Sequence, residues 1–459
     1  MIAQAERIIV TINRITVKGY KALQNAQSID IKNLTVIAGV NSSGKSSVVQ
    51  PLLLLKQTLD ASYDPGPLLL DGANVNITAI EQVLSRGQTR SSQVKSFTLG
   101  LGYEEGKVIE LKFGKNPKGD LKVLEMSRTL PNIDRKLVLR EGMSDNQIRE
   151  AIPGAILENY TDIIRRLRDR TRQLAVVRDR SFLDIGVRFS DGPSSRTAVL
   201  TKLSSIVYDD FSTDSIEAEI SRIIHLPALR GNPARTYRTV AVEGRYPGTF
   251  ETYTAGIIAA WQNRHAKSKL ATLKSDLEEI GLTWKVEAKQ IDDTQVELLV
   301  GRLPRARQGG AHDVVNIADV GFGVSQTLPV IVALIAASPG QIVYLEQPEI
   351  HLHPRAQFVF GNLLARAVSR GVKVILETHS SLLIRSIQTK IAQGVLSPRD
   401  VSLNWFARNP TTGFTAVTAA ELENDGSFGD WPEDFDEVYL EAESKYLDAA
   451  TEYAAYDYE

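Results

Sequence analysis

Leu34-Thr35-Val36-Ile37-Ala38 runs directly into Gly39-Val40-Asn41-Ser42-Ser43-Gly44-Lys45-Ser46, and the reading of that junction decides the fold. The second stretch satisfies G-x-x-x-x-G-K-[S/T]. The apolar run before it and the helix-like stretch Ser46 to Leu59 after it supply the strand, loop and helix that give the pattern meaning. In that setting the loop's backbone N–H groups converge on nucleotide phosphates, helped by the positive end of the helix dipole. The expected phosphate-binding residues are Gly39, Asn41, Ser42, Ser43, Gly44, Lys45, Ser46 and Ser47. Lys45 would bring a mobile cation to the β- and γ-phosphates, and the Ser46 hydroxyl would hold Mg²⁺. The competing reading is a Gly/Ser-rich turn with a chance lysine, and the later motifs count against it.

The chain has 459 residues, 43% hydrophobic and 24% charged, the balance of a globular protein with two domains or one large domain carrying an insertion. It contains no cysteine, which excludes disulfides, thiolate metal sites and cysteine nucleophiles. A formal charge of −2 offers no global attraction to nucleic acid, so any such contact needs a local basic surface. The longest apolar stretch, around Leu328 to Ala337, is about half of a bilayer span, and Met1 to Arg7 lacks a secretory pattern. A cytoplasmic location with no membrane partner is the expectation.

Taken in order, Arg7 to Val17 and Ser28 to Ile31 read as strands leading to the phosphate-loop strand. The helix after Lys45 is apolar nearly all round, as for a helix buried on a parallel sheet, and Pro51 inside it predicts a kink. Lys21 would be a nucleotide contact or a solvated strand-end lysine. The expected α/β organisation is a discontinuous domain at 1–90 and 221–420, an insertion at 91–220 and an acidic tail at 421–459. Within the insertion a helix is expected over Asp145 to Val177. There Arg165, Arg166, Arg168, Arg170, Arg172, Arg178 and Arg180 form either a phosphate-contacting ridge or the solvated face of an amphipathic helix. His225 to Leu229 reads as a buried strand leading to an exposed Arg230.

Three further motifs follow the phosphate loop. Val320-Gly321-Phe322-Gly323-Val324-Ser325-Gln326 opens an apolar helix, placing a serine hydroxyl and free N–H groups where a phosphate could dock. Ile342 to Leu345 is an apolar strand ending in Glu346, a carboxylate positioned to hold Mg²⁺ through water; Gln347-Pro348-Glu349 and His351-Leu352-His353-Pro354 come next. Val372 to Leu376 is another buried strand, ending in Glu377-Thr378-His379-Ser380-Ser381, with His379 placed to touch a γ-phosphate or its attacking water. His351 and His353 read as structural imidazoles, since no third ligand lies at zinc-site spacing.

The order GVNSSGKS, VGFGVSQ, IVYLEQPEIHLHP, LETHSSLLIRS resembles the ABC-type ATPases of the SMC/RecF/OLD group, most closely the stand-alone bacterial ATPases without a nuclease domain in the same chain. The segment Asp425 to Asp436 also resembles the tail of that subgroup. The resemblance covers roughly 200 residues and implies a P-loop NTPase head of ABC/SMC type, a mixed sheet flanked by helices with an inserted α+β or helical segment. It implies ATP and Mg²⁺ as cofactors. By it Gly39 to Ser46 is Walker A, and Gly323, Ser325 and Gln326 belong to the signature. Glu346 is the Walker B acid, Glu349 to His353 the D-loop region, His379 the switch histidine and Gln82 the Q-loop glutamine at the metal. It further implies a head-to-tail homodimer, or a higher homo-oligomer, closed around two nucleotides.

The chain departs from that pattern at Gln347, where a catalytic glutamate is expected. An amide orients water but cannot take its proton, so hydrolysis would be slow or rely on Glu349 or His379. Relatives of this kind serve anti-phage defence systems of the Septu or PARIS type, which implies a switch that governs a separately encoded nuclease or toxin. The alternative is a RecF-like ATPase of DNA repair and recombination, with DNA as the partner along the arginine ridge. From Glu433 onward the tail carries many carboxylates interleaved with tyrosines and reads either as a docking segment or as a solubilising end.

Overall fold

The computed structural model describes residues 11–87, 93–131, 135–154, 172–189, 198–202, 212–239, 244–305, 313–429, 441 and 443–449. Its centre is a six-stranded sheet in the order Ile224–Leu226, Ile342–Glu346, Lys373–Glu377, Leu34–Gly39, Val401–Arg408, Thr415–Ala420. The first five strands are parallel and the last is antiparallel, giving a mixed sheet. Every residue of Leu34–Gly39 is buried, because both faces of the sheet are covered.

Alternation along the strands sorts the two cores. Leu34, Val36, Ala38, Val343, Leu345, Val374 and Leu376 pack with the helices Phe322–Ala336, Pro354–Ser369 and Ser381–Ala392. Ile37, Ile342, Tyr344, Ile375 and Phe406 point the other way, toward the phosphate-loop helix Gln50–Asp60. Glu346 and Glu377 share the parity of Tyr344 and Ile375. Both carboxylates therefore stand on the face that carries the phosphate loop.

Beyond that helix lies an antiparallel sheet in the order Gln27–Asp30, Arg14–Lys18, Ser96–Gly102, Val108–Lys115, Leu121–Thr129, Leu137–Leu139. Ser96–Gly102, within the stretch 91–220, pairs along its length with Arg14–Lys18. Arg172–Asp179, Phe182–Phe189 and Ala198–Lys202 form a separate three-stranded sheet.

Several local expectations are corrected. The helix expected over Asp145 to Val177 is confined, among the described residues, to Asp145–Ala151, where Ser144 and Gln147 form a capping box; Arg172–Asp179 is a strand paired with Phe182–Phe189. Arg165, Arg166, Arg168 and Arg170 lie outside the described residues. Arg178 forms a fork on the Asp64 carboxylate at 2.8 and 3.2 Å, and the Arg180 guanidinium caps the end of the phosphate-loop helix through the carbonyls of Thr58, Leu59 and Ala61. These two arginines tie the Arg172–Asp179 and Phe182–Phe189 hairpin to the end of the phosphate-loop helix and the loop after it. Pro51 causes no kink: a short 3₁₀ turn spans Lys45–Val48 and the α-helix begins at Gln50, so Pro51 sits in the first turn, where its missing N–H costs nothing. Of the acidic tail, residues 430–440, 442 and 450–459 lie outside the described residues.

Candidate functional site

The loop after Leu34–Gly39 requires its glycines. Gly39 has φ 145° and a Cβ there would collide with the Phe406 carbonyl oxygen; Gly44 has φ 93° and a Cβ would lie 2.8 Å from Thr415 Oγ1. The Thr415 hydroxyl donates to the Ser43 carbonyl at 2.6 Å, pinning the loop to the last strand of the sheet. Lys45 Nζ curls back onto the carbonyls of Gly39 and Val40 at 3.0 and 2.8 Å, and burial lowers its pKa. A close-fitting cradle of backbone with a central ammonium is what phosphate binding needs, so these residues fit the nucleotide their motif implies.

A cavity of about 840 Å³ opens beside this loop, within the range of small-molecule sites. Asn41, Ser42, Gly44, Lys45, Ser46 and Ser47 line it from below, and Gln82, Gln347 and His379 face it from other elements. Four separate stretches of the sequence thus meet at one opening. Gln82 ends a short 3₁₀ turn, Ile80–Gln82, and folds back on Thr78, accepting from its N–H at 3.0 Å and donating to its hydroxyl at 2.8 Å. Gln347 leaves its strand with φ 44° and its N–H donates to the Glu377 carbonyl at 2.8 Å. Burial and the nearby Lys45 charge lower the His379 pKa, keeping the imidazole neutral near pH 7.

Glu349 is placed differently from its neighbours in sequence. It is buried beneath the switch segment, with Oε1 accepting from the Thr378 hydroxyl at 2.7 Å and the His379 N–H at 2.8 Å. Burial raises its pKa, and Oε2 has no hydrogen-bond partner among the described residues. The carboxylate therefore positions His379 through its backbone. His353 caps the helix Pro354–Ser369 through Nδ1, and His351 stacks on Phe322 with ring centroids 5.8 Å apart. Among the described residues no group of three or more His, Asp or Glu is arranged to hold a metal ion.

Glu346 and Glu377 are register partners on adjacent parallel strands. Glu346 Oε1 meets His225 Nε2 at 3.2 Å and Oε2 accepts the Ala228 N–H at 3.2 Å. The Asn74 amide sits 3.0 Å from His225 Nδ1 and from the Gly248 carbonyl oxygen, so it presents its NH₂ to both. His225 Nδ1 is then the acceptor, and Nε2 carries the proton donated to Glu346. Burial pushes the Glu346 pKa up, but the bonds from His225 and Ala228 outweigh it and hold the carboxyl below its usual range. Glu377 goes the other way: burial and the Glu346 charge raise it, against Ser46, Tyr344 and Lys45. The Ser46 hydroxyl donates to Glu377 Oε1 at 3.1 Å and the Tyr344 hydroxyl to Glu377 Oε2 at 2.9 Å.

Sequence reading thus assigned no role to Glu377, Tyr344, His225 or Asn74. The one available signal was Glu377 itself, a carboxylate ending a buried strand two residues before His379. Arg230, expected exposed, is buried: it donates to the carbonyls of Gln326 and Glu346 at 2.9 and 3.1 Å, tying the helix Phe322–Ala336 to the end of the Glu346 strand.

The turn at 320–326 stands apart from this cavity. The helix begins at Phe322, so Ser325 lies one turn inside it, mostly buried, with its hydroxyl bonded to the Phe322 carbonyl at 3.2 Å. Gly323 is half-buried; Gln326 is buried and donates to the Gly231 carbonyl at 3.2 Å. The helix start itself is open, with Gly321 exposed and Phe322 52% exposed. No helix among the described residues is long and apolar enough to cross a membrane.

Comparison with solved structures finds an SMC head bound to the C-terminal winged-helix domain of ScpA, similar at 12% identity over 90% of this chain and 98% of that one, with a TM-score of 0.48. The SMC head domain from Thermotoga maritima is similar at 11% identity over 90% and 100%, with a TM-score of 0.38. The head with extended coiled coil derived from Pyrococcus furiosus, bound to the C-terminal domain of ScpA, gives 11% over 96% and 100%, with a TM-score of 0.45. No curated protein matches the sequence. The profile of the family described as "AAA domain, putative AbiEii toxin, Type IV TA system" matches residues 34–385, from the first residue of the phosphate-loop strand into the helix behind His379, and the chain belongs to that family.

Proposed function

We propose that the protein is an ATP-binding and ATP-hydrolysing molecular switch that closes head-to-tail on a second copy around nucleotide and controls a separately encoded nuclease or toxin in anti-phage defence. The observation that carries the nucleotide part is the meeting of Lys45, Ser46, Gln82, Gln347 and His379 at one cavity over the ends of parallel strands. Bound Mg²⁺ would neutralise charge on the β- and γ-phosphate oxygens, with Ser46 and the strand-end carboxylates available to hold it. Lys45 exchanges its two carbonyl partners for phosphate oxygens. Gln347, fixed by its bond to the Glu377 carbonyl, orients water without accepting its proton, and His379 offers a hydrogen bond on the same side. Slow turnover follows, which suits a switch that dwells in one nucleotide state.

Closure on a second copy is supported by the open helix start at Gly321 and Phe322, whose N–H groups could cap a neighbour's γ-phosphate. The defence role rests on the likeness of four ordered motifs to stand-alone defence ATPases. The mass of the protein in solution, measured with and without ATP and Mg²⁺, tests the switch. Doubling with ATP, abolished by Ser325→Arg while the monomer still binds nucleotide, is the expected result; an unchanged mass would refute closure. Salt-sensitive, ATP-dependent binding to duplex DNA with no effector partner would favour the RecF-like alternative instead.

A further inference from the structure

We infer that Glu377, and not Glu346, is the carboxylate that joins Ser46 in holding the divalent cation of the bound nucleotide. The inference rests on the nucleotide reading above and asks which side chain completes that site. Two carboxylates at register positions of neighbouring strands, about 4.8 Å apart along the sheet, repel each other unless something positive lies between or beside them. The two solve this differently. Glu346 has both oxygens committed on the outer side, Oε1 to His225 and Oε2 to the Ala228 N–H, and it does not line the cavity. Glu377 does line it, with Oε1 turned to the phosphate loop.

The spacing of Ser46 Oγ and Glu377 Oε1 is itself informative. Neighbouring ligands of an octahedral Mg²⁺ at 2.0–2.1 Å stand about 2.9 Å from each other (√2 times the bond length). The observed separation is 3.1 Å, so the pair could accept a cation with little movement once the Ser46 proton turns away. Tyr344 holds the remaining Glu377 oxygen at 2.9 Å and so fixes the carboxylate plane, while His225, stacked on the Tyr344 ring at 5.4 Å between centroids, draws Glu346 aside. Tyr344 and His225 are positioning residues, and Glu346 contributes charge at longer range.

The test uses the full chain and Mn²⁺ as the probe. Free Mn²⁺ is titrated by electron paramagnetic resonance against protein saturated with a non-hydrolysable ATP analogue, and fluorescent-nucleotide binding is measured separately in EDTA. Glu377→Gln should weaken Mn²⁺ about 10- to 100-fold while metal-free nucleotide affinity stays within about two-fold of wild type, and Glu346→Gln should weaken Mn²⁺ less. Wild-type Mn²⁺ affinity in Glu377→Gln, or an equal or greater loss in Glu346→Gln, overturns the assignment. Should Glu377→Gln lose nucleotide in EDTA, Glu377→Asp decides: weakened Mn²⁺ with intact metal-free binding supports the assignment, and wild-type Mn²⁺ affinity overturns it. A wild-type chain that binds no nucleotide removes the underlying reading as well, whereas the preceding failures remove this inference alone.

Discussion

Replacing Lys56 by methionine should destabilise the fold by about 3–5 kcal/mol although it touches no nucleotide-facing residue. Lys56 is wholly buried on the phosphate-loop helix; its ammonium donates to Asp60 Oδ2 at 2.5 Å, one turn on, and to the Tyr246 carbonyl at 2.8 Å. Asp60 Oδ2 also accepts the Gly248 N–H at 3.2 Å, while Oδ1 is buried with no hydrogen-bond partner among the described residues. Methionine nearly fills the lysine's volume, so a cavity contributes little. What remains is a largely buried carboxylate that has lost its closest cation, and that sets the magnitude. The double variant Lys56→Met/Asp60→Leu removes both charges and should recover most of the loss, to within about 1–2 kcal/mol of wild type.

Urea unfolding followed by tryptophan fluorescence and circular dichroism reads both changes as midpoint shifts at constant slope. A single-variant cost below about 1 kcal/mol, or a double variant worse than the single, would refute the reasoning. The pair also bears on the site. It secures the Tyr246–Gly248 segment, whose Gly248 carbonyl receives the Asn74 amide that fixes His225 on Glu346.

Three further outcomes are expected. Lys45→Ala should weaken ATP binding at least about 100-fold, the loss of roughly 3 kcal/mol of charge-assisted bonding, measured by fluorescent-nucleotide titration; near-wild-type affinity would contradict the phosphate-loop assignment. Gln347→Glu should speed steady-state ATP hydrolysis, on the order of 10-fold or more, by supplying a base where an amide now stands, and an unchanged or lower rate in a phosphate-release assay would count against the slow-switch reading. The Glu219 carboxyl is pushed up to about 8 by burial, against the Ile12 N–H and the charges of Lys373 and Arg222. It stays neutral in the fold where the unfolded chain ionises, so its contribution is full below about pH 4.5 and is lost as pH rises through about 8. Glu219→Gln should flatten that fall in chemical-denaturation stability, and an identical pH slope would exclude the effect.

The parts legible in the sequence were those fixed by local chemistry. Gly39 and Gly44 are needed by backbone angles and close approach that only glycine tolerates, so the phosphate loop could be read without a partner strand in view. The strand-end positions of Glu346 and His379 followed from apolar runs of the right length. What was not legible depends on register. Arg14–Lys18 pairs with Ser96–Gly102, about eighty residues away, and no local pattern announces that pairing. Leu174 fits a helical stripe with Ile163, Ile164 and Leu167 as well as it fits the alternation of the strand it occupies opposite Val187. Arg178 and Arg180 look like a solvated or phosphate-seeking pair until the last carbonyls of the phosphate-loop helix are seen to need donors.

The same distinction bears on Gln347. In sequence it is a gap in a motif, a neutral residue where an acid is expected. In space it stands beside Glu346, Glu349 and Glu377, and of these Glu349 and Glu377 are already raised by burial. Lys45 is the ammonium of the phosphate loop itself and is also required by the phosphates. A fourth carboxylate would add repulsion beyond what Lys45 and the buried Arg230 offset. The amide avoids that added repulsion before nucleotide arrives. On this argument Gln347→Glu should gain hydrolysis and, in the same protein, bind Mn²⁺–nucleotide more tightly relative to metal-free nucleotide than wild type does; a gain in rate without that change would separate the base from the electrostatics.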